Sequence, residues 1–157
     1  MIPENYLSAL KIIVERLEGQ GITWAVTGSL GFALQGVPVT PRDIDLQTDT
    51  GCAYEMESLF SEYLRRSVGP KITPVMRSVI GELEIEGVTV EIIGGVQKRE
   101  RDGHYEPPVD VEKHLLVIEY EGLQVPVLDL EYERDAYLKL GRTETAALLA
   151  DWLAKQQ

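Results

Sequence analysis

Two aspartates one residue apart, Asp43-Ile44-Asp45, follow a Gly28-Ser29 pair, with Asp43 fourteen positions after Ser29. Side chains on a strand alternate between faces, so a strand at this point projects both carboxylates to one side. Their Cβ atoms would then stand about 6–7 Å apart, from a rise of about 3.3 Å per residue. Carboxylate oxygens so placed suit hard divalent cations such as Mg²⁺. A Gly-Ser turn opening a short helix offers backbone N–H groups and a hydroxyl, where a phosphate is favourably held. The acidic spacing alone is weak, because the chain also carries Glu55/Glu57, Glu82/Glu84/Glu86 and Glu131/Glu133. Those triplets read as solvated faces.

The elements that must position these residues follow from hydrophobic period and turn signals. Tyr6, Leu7, Leu10, Ile13, Val14 and Leu17 recur at helical spacing, predicting a helix over about 4–18. A strand over 23–27 leads into the Gly-Ser turn, and a helix over 29–35 follows with Ser29 as its N-cap and Gly36 as its exit. Pro38 and Pro41 keep the next segment extended up to a strand over 43–47. A helix is expected over 52–66, then an irregular stretch over 68–75. Val79 to Ile85 and Val88 to Ile93 form a hairpin about Glu86-Gly87.

That two-residue turn opposes Ile85 with Val88, Glu84 with Thr89, Leu83 with Val90 and Glu82 with Glu91. Leu83, Ile85, Val88, Val90 and Ile92 share a core face, and Glu82 and Glu91 become neighbours on the other. Directly opposed carboxylates repel and need an offset, which a metal ion or simple exposure to water would supply equally well. Residues 94–113 read as a polar loop containing Lys98 and Arg99 through Tyr105. A second hairpin over 115–120 and 123–127 and two helices over 130–140 and 144–155 complete the chain, with Asp129 and Thr143 as N-caps. Leu130, Ala136, Tyr137 and Leu140, then Ala147, Leu148 and Leu153, are the expected buried stripes.

The combination of strand, Gly28-Ser29, short helix and Asp43-x-Asp45 resembles the nucleotidyltransferase superfamily of the DNA polymerase β type. It is most similar to the small prokaryotic members related to aminoglycoside and lincosamide adenylyltransferases. The run Val125-Pro-Val-Leu-Asp-Leu and the later Leu138-Lys139-Leu140-Gly141-Arg142 extend the likeness. The resemblance implies an α+β fold, a mixed sheet flanked by helices in a single domain over 1–157. It implies two Mg²⁺ ions held by Asp43, Asp45 and a third acid on a later strand. Glu91 fills that place where relatives often carry aspartate, and Glu82 competes for it. The three acids become the catalytic set, with Glu91 helping to deprotonate the acceptor. Gly28, Ser29, Lys139 and Arg142 are the implied contacts to the nucleotide, and Arg77 a further phosphate contact. The implied partners are a nucleoside triphosphate such as ATP and an acceptor that is a small molecule, a protein or an RNA. The competing reading is a non-catalytic interaction protein of the same fold, for example one half of a toxin–antitoxin-like pair.

With 157 residues and 44% hydrophobic content, the chain can bury a sizeable core. Its formal net charge of −11, from 26 acidic and 15 basic residues, disfavours general binding to nucleic acid. No apolar run approaches the roughly 18–20 residues of a membrane span, and the N-terminus lacks signal-peptide features. The single Cys52 forms no internal disulfide, and a cytoplasmic location is expected.

Overall fold

The apolar residues of two central strands fix the frame. In the computed structural model, which describes residues 2–157, β1 (Trp24–Thr27) and β2 (Ile44–Thr48) run antiparallel, pairing Val26 with Leu46 and Thr27 with Asp45. β2 lies parallel to β5 (Val88–Lys98), opposing Asp45 with Glu91 and Leu46 with Ile92. With β3 (Leu64–Ile72), β4 (Met76–Ile85), β6 (Leu115–Tyr120) and β7 (Leu123–Leu128), they form one seven-stranded mixed sheet of order β3-β4-β5-β2-β1-β7-β6. The fold is α+β, as expected from the resemblance.

One face of the sheet carries Val26, Ile44, Leu46, Leu83, Val90 and Ile92, all buried in the main core. α1 (Glu4–Leu17) contributes Ala9, Leu10, Ile13 and Leu17 to it, and α3 (Thr50–Leu59) contributes Ala53 and Met56. The opposite face is only partly covered. α2 (Gly28–Leu34), α5 (Leu130–Lys139) and α6 (Thr143–Lys155) build a smaller cluster around Phe32, Val37, Leu130 and Leu149. α4 (Val111–His114) adds Val111 beside Ala25 and Leu128.

The first hairpin has the expected register in full, including Glu82 against Glu91. Positive φ at Glu86 and Gly87, 54° and 74°, gives the turn the twist that antiparallel strands favour. The second hairpin turns in the same way at Glu121-Gly122.

Several expectations need correction. The helix expected to reach residue 66 stops at Leu59, and a 3-10 turn over Ser61–Tyr63 leads into β3. The stretch 68–75, expected to be irregular, mostly belongs to that strand. Helical spacing of Phe60, Tyr63 and Leu64 misled because β4 leaves an open edge that β3 satisfies, and no local signal records that demand. Pro70 is tolerated because β3 is an edge strand. Ser29 and Thr143 cap nothing: the helices begin one residue earlier and at Thr143 itself, without side-chain caps. In α6 the buried residues are Ala146 and Leu149, while Leu148 is exposed.

The loop expected from residue 94 is also shortened, for Gly94 to Lys98 continue β5. Between Val79↔Gly94 and Arg77↔Gln97, β5 advances three residues while β4 advances two. This extra residue is a β-bulge, and it reverses which side chains face which way. Glu91 and Ile93 face the partly open side before it, Val96 and Lys98 after it. Gly95 sits there with φ +62°, and a Cβ on it would lie 2.0 Å from Thr50 Oγ1.

Gly95→Ala should therefore lower stability by about 2–4 kcal/mol, combining a left-handed backbone penalty with overpacking. Gly87→Ala, with φ +74° but nothing within 4 Å, should cost only about 1–2 kcal/mol. Adding Thr50→Ala to Gly95→Ala should recover the steric part. Urea unfolding of the wild type and the three variants checks this, and equal losses at Gly95 and Gly87 would remove the close-approach explanation.

Candidate functional site

Across the sheet, register alone lines up Thr27, Asp45, Glu91, Glu82 and Arg66 on neighbouring strands. Asp43 stands one residue ahead of β2 and turns its carboxylate to the same place. Asp43, Asp45 and Glu91 each offer an oxygen, and these atoms lie within 4.8 Å of one another. Glu82, the competing third acid, is outside this group and sits 3.9 Å from Arg66. Of the two opposed glutamates, one has a cation and the other faces the aspartates.

Asp45 is the strained member. Burial pushes its carboxyl up to about 7, the charges of Glu91 and Asp43 add to the rise, and Arg142 opposes it. Its Oδ1 is buried with no hydrogen-bond partner among the described residues. Its Oδ2 lies where a Cβ on Gly28 would be, at 2.6 Å, so the Gly28 position must lack a side chain. A buried, unpartnered carboxylate oxygen beside two other carboxylates is a donor set that fits a hard divalent cation.

The Gly-Ser corner is held from an unexpected direction. Glu133 of α5 is buried, accepts the Thr27 hydroxyl at 2.7 Å and accepts the Gly28 N–H at 3.2 Å. It is no solvated face, contrary to the reading of the Glu131/Glu133 triplet. Burial raises its carboxyl to about 7 despite these two hydrogen bonds. The Gly28 N–H expected to meet phosphate is thus already engaged. Ser29 Oγ accepts the Arg42 N–H at 3.0 Å, which leaves its own proton free to donate.

Two hollows meet at Asp45. One, of about 260 Å³, is lined by Gly28, Ser29, Arg42, Asp43 and Arg142. The other, of about 200 Å³, runs past Glu91 and Ile93 to Lys98 and Tyr132. Asp45, Tyr137 and Arg142 border both. The structure therefore brings Asp43, Asp45, Glu91, Gly28, Ser29 and Arg142 together.

It does not bring Lys139. Its Nζ is 2.6 Å from Glu106 and 2.9 Å from Glu100, tying α5 to the 99–110 loop. Arg77 is likewise elsewhere, stacked 4.0 Å from the Tyr105 ring and donating to Gln97. Sequence reasoning missed Arg42, Glu133 and Lys98. Regular alternation would have sent Arg42 to the far side, but β2 begins only at Ile44. Glu133 carried no signal, and Lys98 depended on the bulge.

Comparison with known proteins gives three findings. The profile of the aminoglycoside-2''-adenylyltransferase family matches residues 9–152. A protein of Thermotoga maritima, TM1012, described as a candidate nucleotidyltransferase, has a crystal structure with 50% sequence identity and a TM-score of 0.87. That match covers 99% of this chain and 96% of the other. The lincosamide antibiotic adenylyltransferase LnuA, solved with lincomycin bound, is 15% identical over 84% of each chain, with a TM-score of 0.53. At that identity the likeness shows the fold alone. No curated protein matches the chain.

The raised Asp45 carboxyl has a consequence for stability. Its folded value of about 7 exceeds the ordinary 3.8, so the folded chain retains a proton that the unfolded chain has released. Stability from this group falls as pH rises through that window and is lowest above about 7. Metal-free Asp45→Asn should be more stable than the wild type at pH 8, by on the order of 2–4 kcal/mol. The gain should shrink to nothing near pH 4. Chemical denaturation at both pH values in chelator checks this; a gain independent of pH would contradict the buried-carboxylate account.

Proposed function

The chain belongs to the aminoglycoside-2''-adenylyltransferase family of nucleotidyltransferases, and on that premise we propose that it transfers a nucleoside monophosphate from a nucleoside triphosphate to an acceptor hydroxyl, releasing pyrophosphate. The observation that carries this reading is the meeting of Asp43, Asp45 and Glu91, with an unpartnered buried oxygen on Asp45, beside a hollow that Arg42 and Arg142 line. In the reaction the acceptor oxygen forms a bond to the α-phosphorus while the bond from that phosphorus to the bridging oxygen breaks. The acceptor proton must go to a base.

Asp43, Asp45 and Glu91 would hold the Mg²⁺ ions, two in this reading. Bound there, Mg²⁺ would offset the charge that develops on the phosphoryl oxygens and the departing pyrophosphate. Glu91 lies on the side of Asp45 away from the Gly-Ser corner, facing the second hollow, and its carboxylate receives the acceptor proton. Arg42 and Arg142 line the first hollow and neutralise the β- and γ-phosphates. Arg142 is the contact expected there, and Arg42 takes the part expected of Lys139. Ser29 donates its free hydroxyl proton to the same tail. Gly28 contributes by having no side chain, leaving room for Asp45. Glu133 positions that corner through Thr27 and Gly28. A triphosphate entering by the Gly-Ser corner and an acceptor entering past Glu91 would approach the α-phosphorus from opposite sides, the geometry that in-line displacement needs.

ATP is the nucleotide to try first, since the family is named for adenylyl transfer. Incubation with Mg²⁺ and each of four α-labelled triphosphates should give labelled product or pyrophosphate from at least one. Asp45→Asn should reduce the rate by more than about a hundredfold. Millimolar Mg²⁺ with the preferred nucleotide should raise the melting temperature of the wild type and leave Asp45→Asn unmoved. Absence of nucleotide binding by calorimetry would overturn the enzyme reading in favour of an interaction protein.

A further inference from the structure

Lys98 ends β5 on the open side of the sheet, lining the hollow that also takes Asp45 and Glu91. It is 6% exposed. A buried ammonium normally rests against a carboxylate, because it has lost its hydration and needs replacement. Lys98 makes no ion pair among the described residues. Its ammonium donates one hydrogen bond, to Tyr132 Oη at 3.1 Å, and lies 5.2 Å from the centroid of the same ring. An ammonium has three protons, so two point at no protein acceptor. Burial pushes Lys98 below the ordinary lysine range and holds the Tyr132 phenol up at about 12, so Tyr132 remains a neutral acceptor.

The neighbouring acids are already committed. Glu106 is bound by Lys139, and Glu133 by Thr27 and Gly28. Two more cations line the same hollow, Lys71 from β3 and Arg142, and neither makes an ion pair among the described residues.

Lys98 lies at the end of β5, past Ile93 and Val96 from the Glu91 that pairs with Asp45, and its ammonium rests on Tyr132. This is the Tyr132 end of the hollow.

We propose that Lys98, in a hollow that Lys71 also lines, binds an anionic group of the acceptor, a carboxylate or phosphate set apart from the attacking hydroxyl, so that the acceptor is an anionic alcohol and not a polycation. The assignment rests on the nucleotidyl-transfer reading of the same site. It predicts a lysine kept for its ligand at a cost to the fold, since no carboxylate is paired with it and burial lowers its affinity for the proton despite Glu106 and Glu133 nearby.

Lys98→Met preserves length and removes the charge. Calorimetric titration with inorganic phosphate, in Mg²⁺ and saturating α,β-methylene ATP, should show one phosphate bound per wild-type chain. Lys98→Met should weaken that binding by about tenfold or more, with nucleotide affinity within about twofold and a melting temperature at or above the wild type. Tyr132→Phe, which keeps the charge but frees the ammonium, should weaken phosphate by a smaller factor, about two- to fivefold. Equal phosphate binding by wild type and Lys98→Met, or none by the wild type, would overturn the proposal. So would a loss of nucleotide affinity, which places Lys98 on the triphosphate, or a fall in melting temperature, which makes it structural. If the wild type binds no nucleotide, the transferase reading fails and the acceptor assignment with it. Phosphate titration without nucleotide would then still report whether Lys98 is an anion site.

Discussion

Ile44 and Leu46 are fully buried on one face of the central strand β2, and their burial dictates where Asp43 and Asp45 go. A slip of one residue would move both apolar side chains out of the core and both acids into it, so the register is strongly fixed. The neighbouring strand is pinned in the same way by Val90 and Ile92, which places Glu91 beside Asp45. Three carboxylates that repel one another are thus held together by hydrophobic contacts on the reverse side of the sheet. Each fully buried aliphatic side chain of this kind contributes about 1.5–3 kcal/mol, enough in sum to exceed the repulsion.

The surroundings of the triad sharpen its meaning. Glu82 has Arg66, Glu84 has Arg65 at 2.6 Å, and Glu133 has Thr27 and Gly28. Acids close to the row have found partners within the protein. Asp45 has none for one of its oxygens, and the nearest influence of opposite sign is Arg142. A cluster left unpaired amid paired neighbours is the donor set on which the proposed metal binding rests.

Cations follow the same logic from the other side. Lys139 and Arg142 sit three apart at the end of α5 and just beyond it, yet they have separate fates: Lys139 fastens the 99–110 loop and Arg142 faces Asp45. Lys98 reaches the open face only because the Gly94-Gly95 bulge inverts the alternation of β5. A Cβ at either glycine would collide with α3 or the residues leading into it. Packing against α3 and the direction of Lys98 are therefore two results of one backbone feature.

The sequence by itself determined the central strands, both hairpins and the register of the first. Those features depend on two-residue alternation and on two-residue turns, which are local rules visible in a single chain. Glu91 as the acid beside Asp43 and Asp45 comes from the family resemblance, because β2 and β5 are distant in the chain. The sequence did not determine β3, the partner of Lys139, the burial of Glu133 or the direction of Lys98. β3 forms because the edge of β4 requires hydrogen bonds, and Lys139 is claimed by glutamates 33 and 39 residues away. Glu133 lies 106 residues from Thr27 in the chain. Such contacts arise only when distant segments meet, and tertiary structure decided them because their energies exist between elements and not within any one of them.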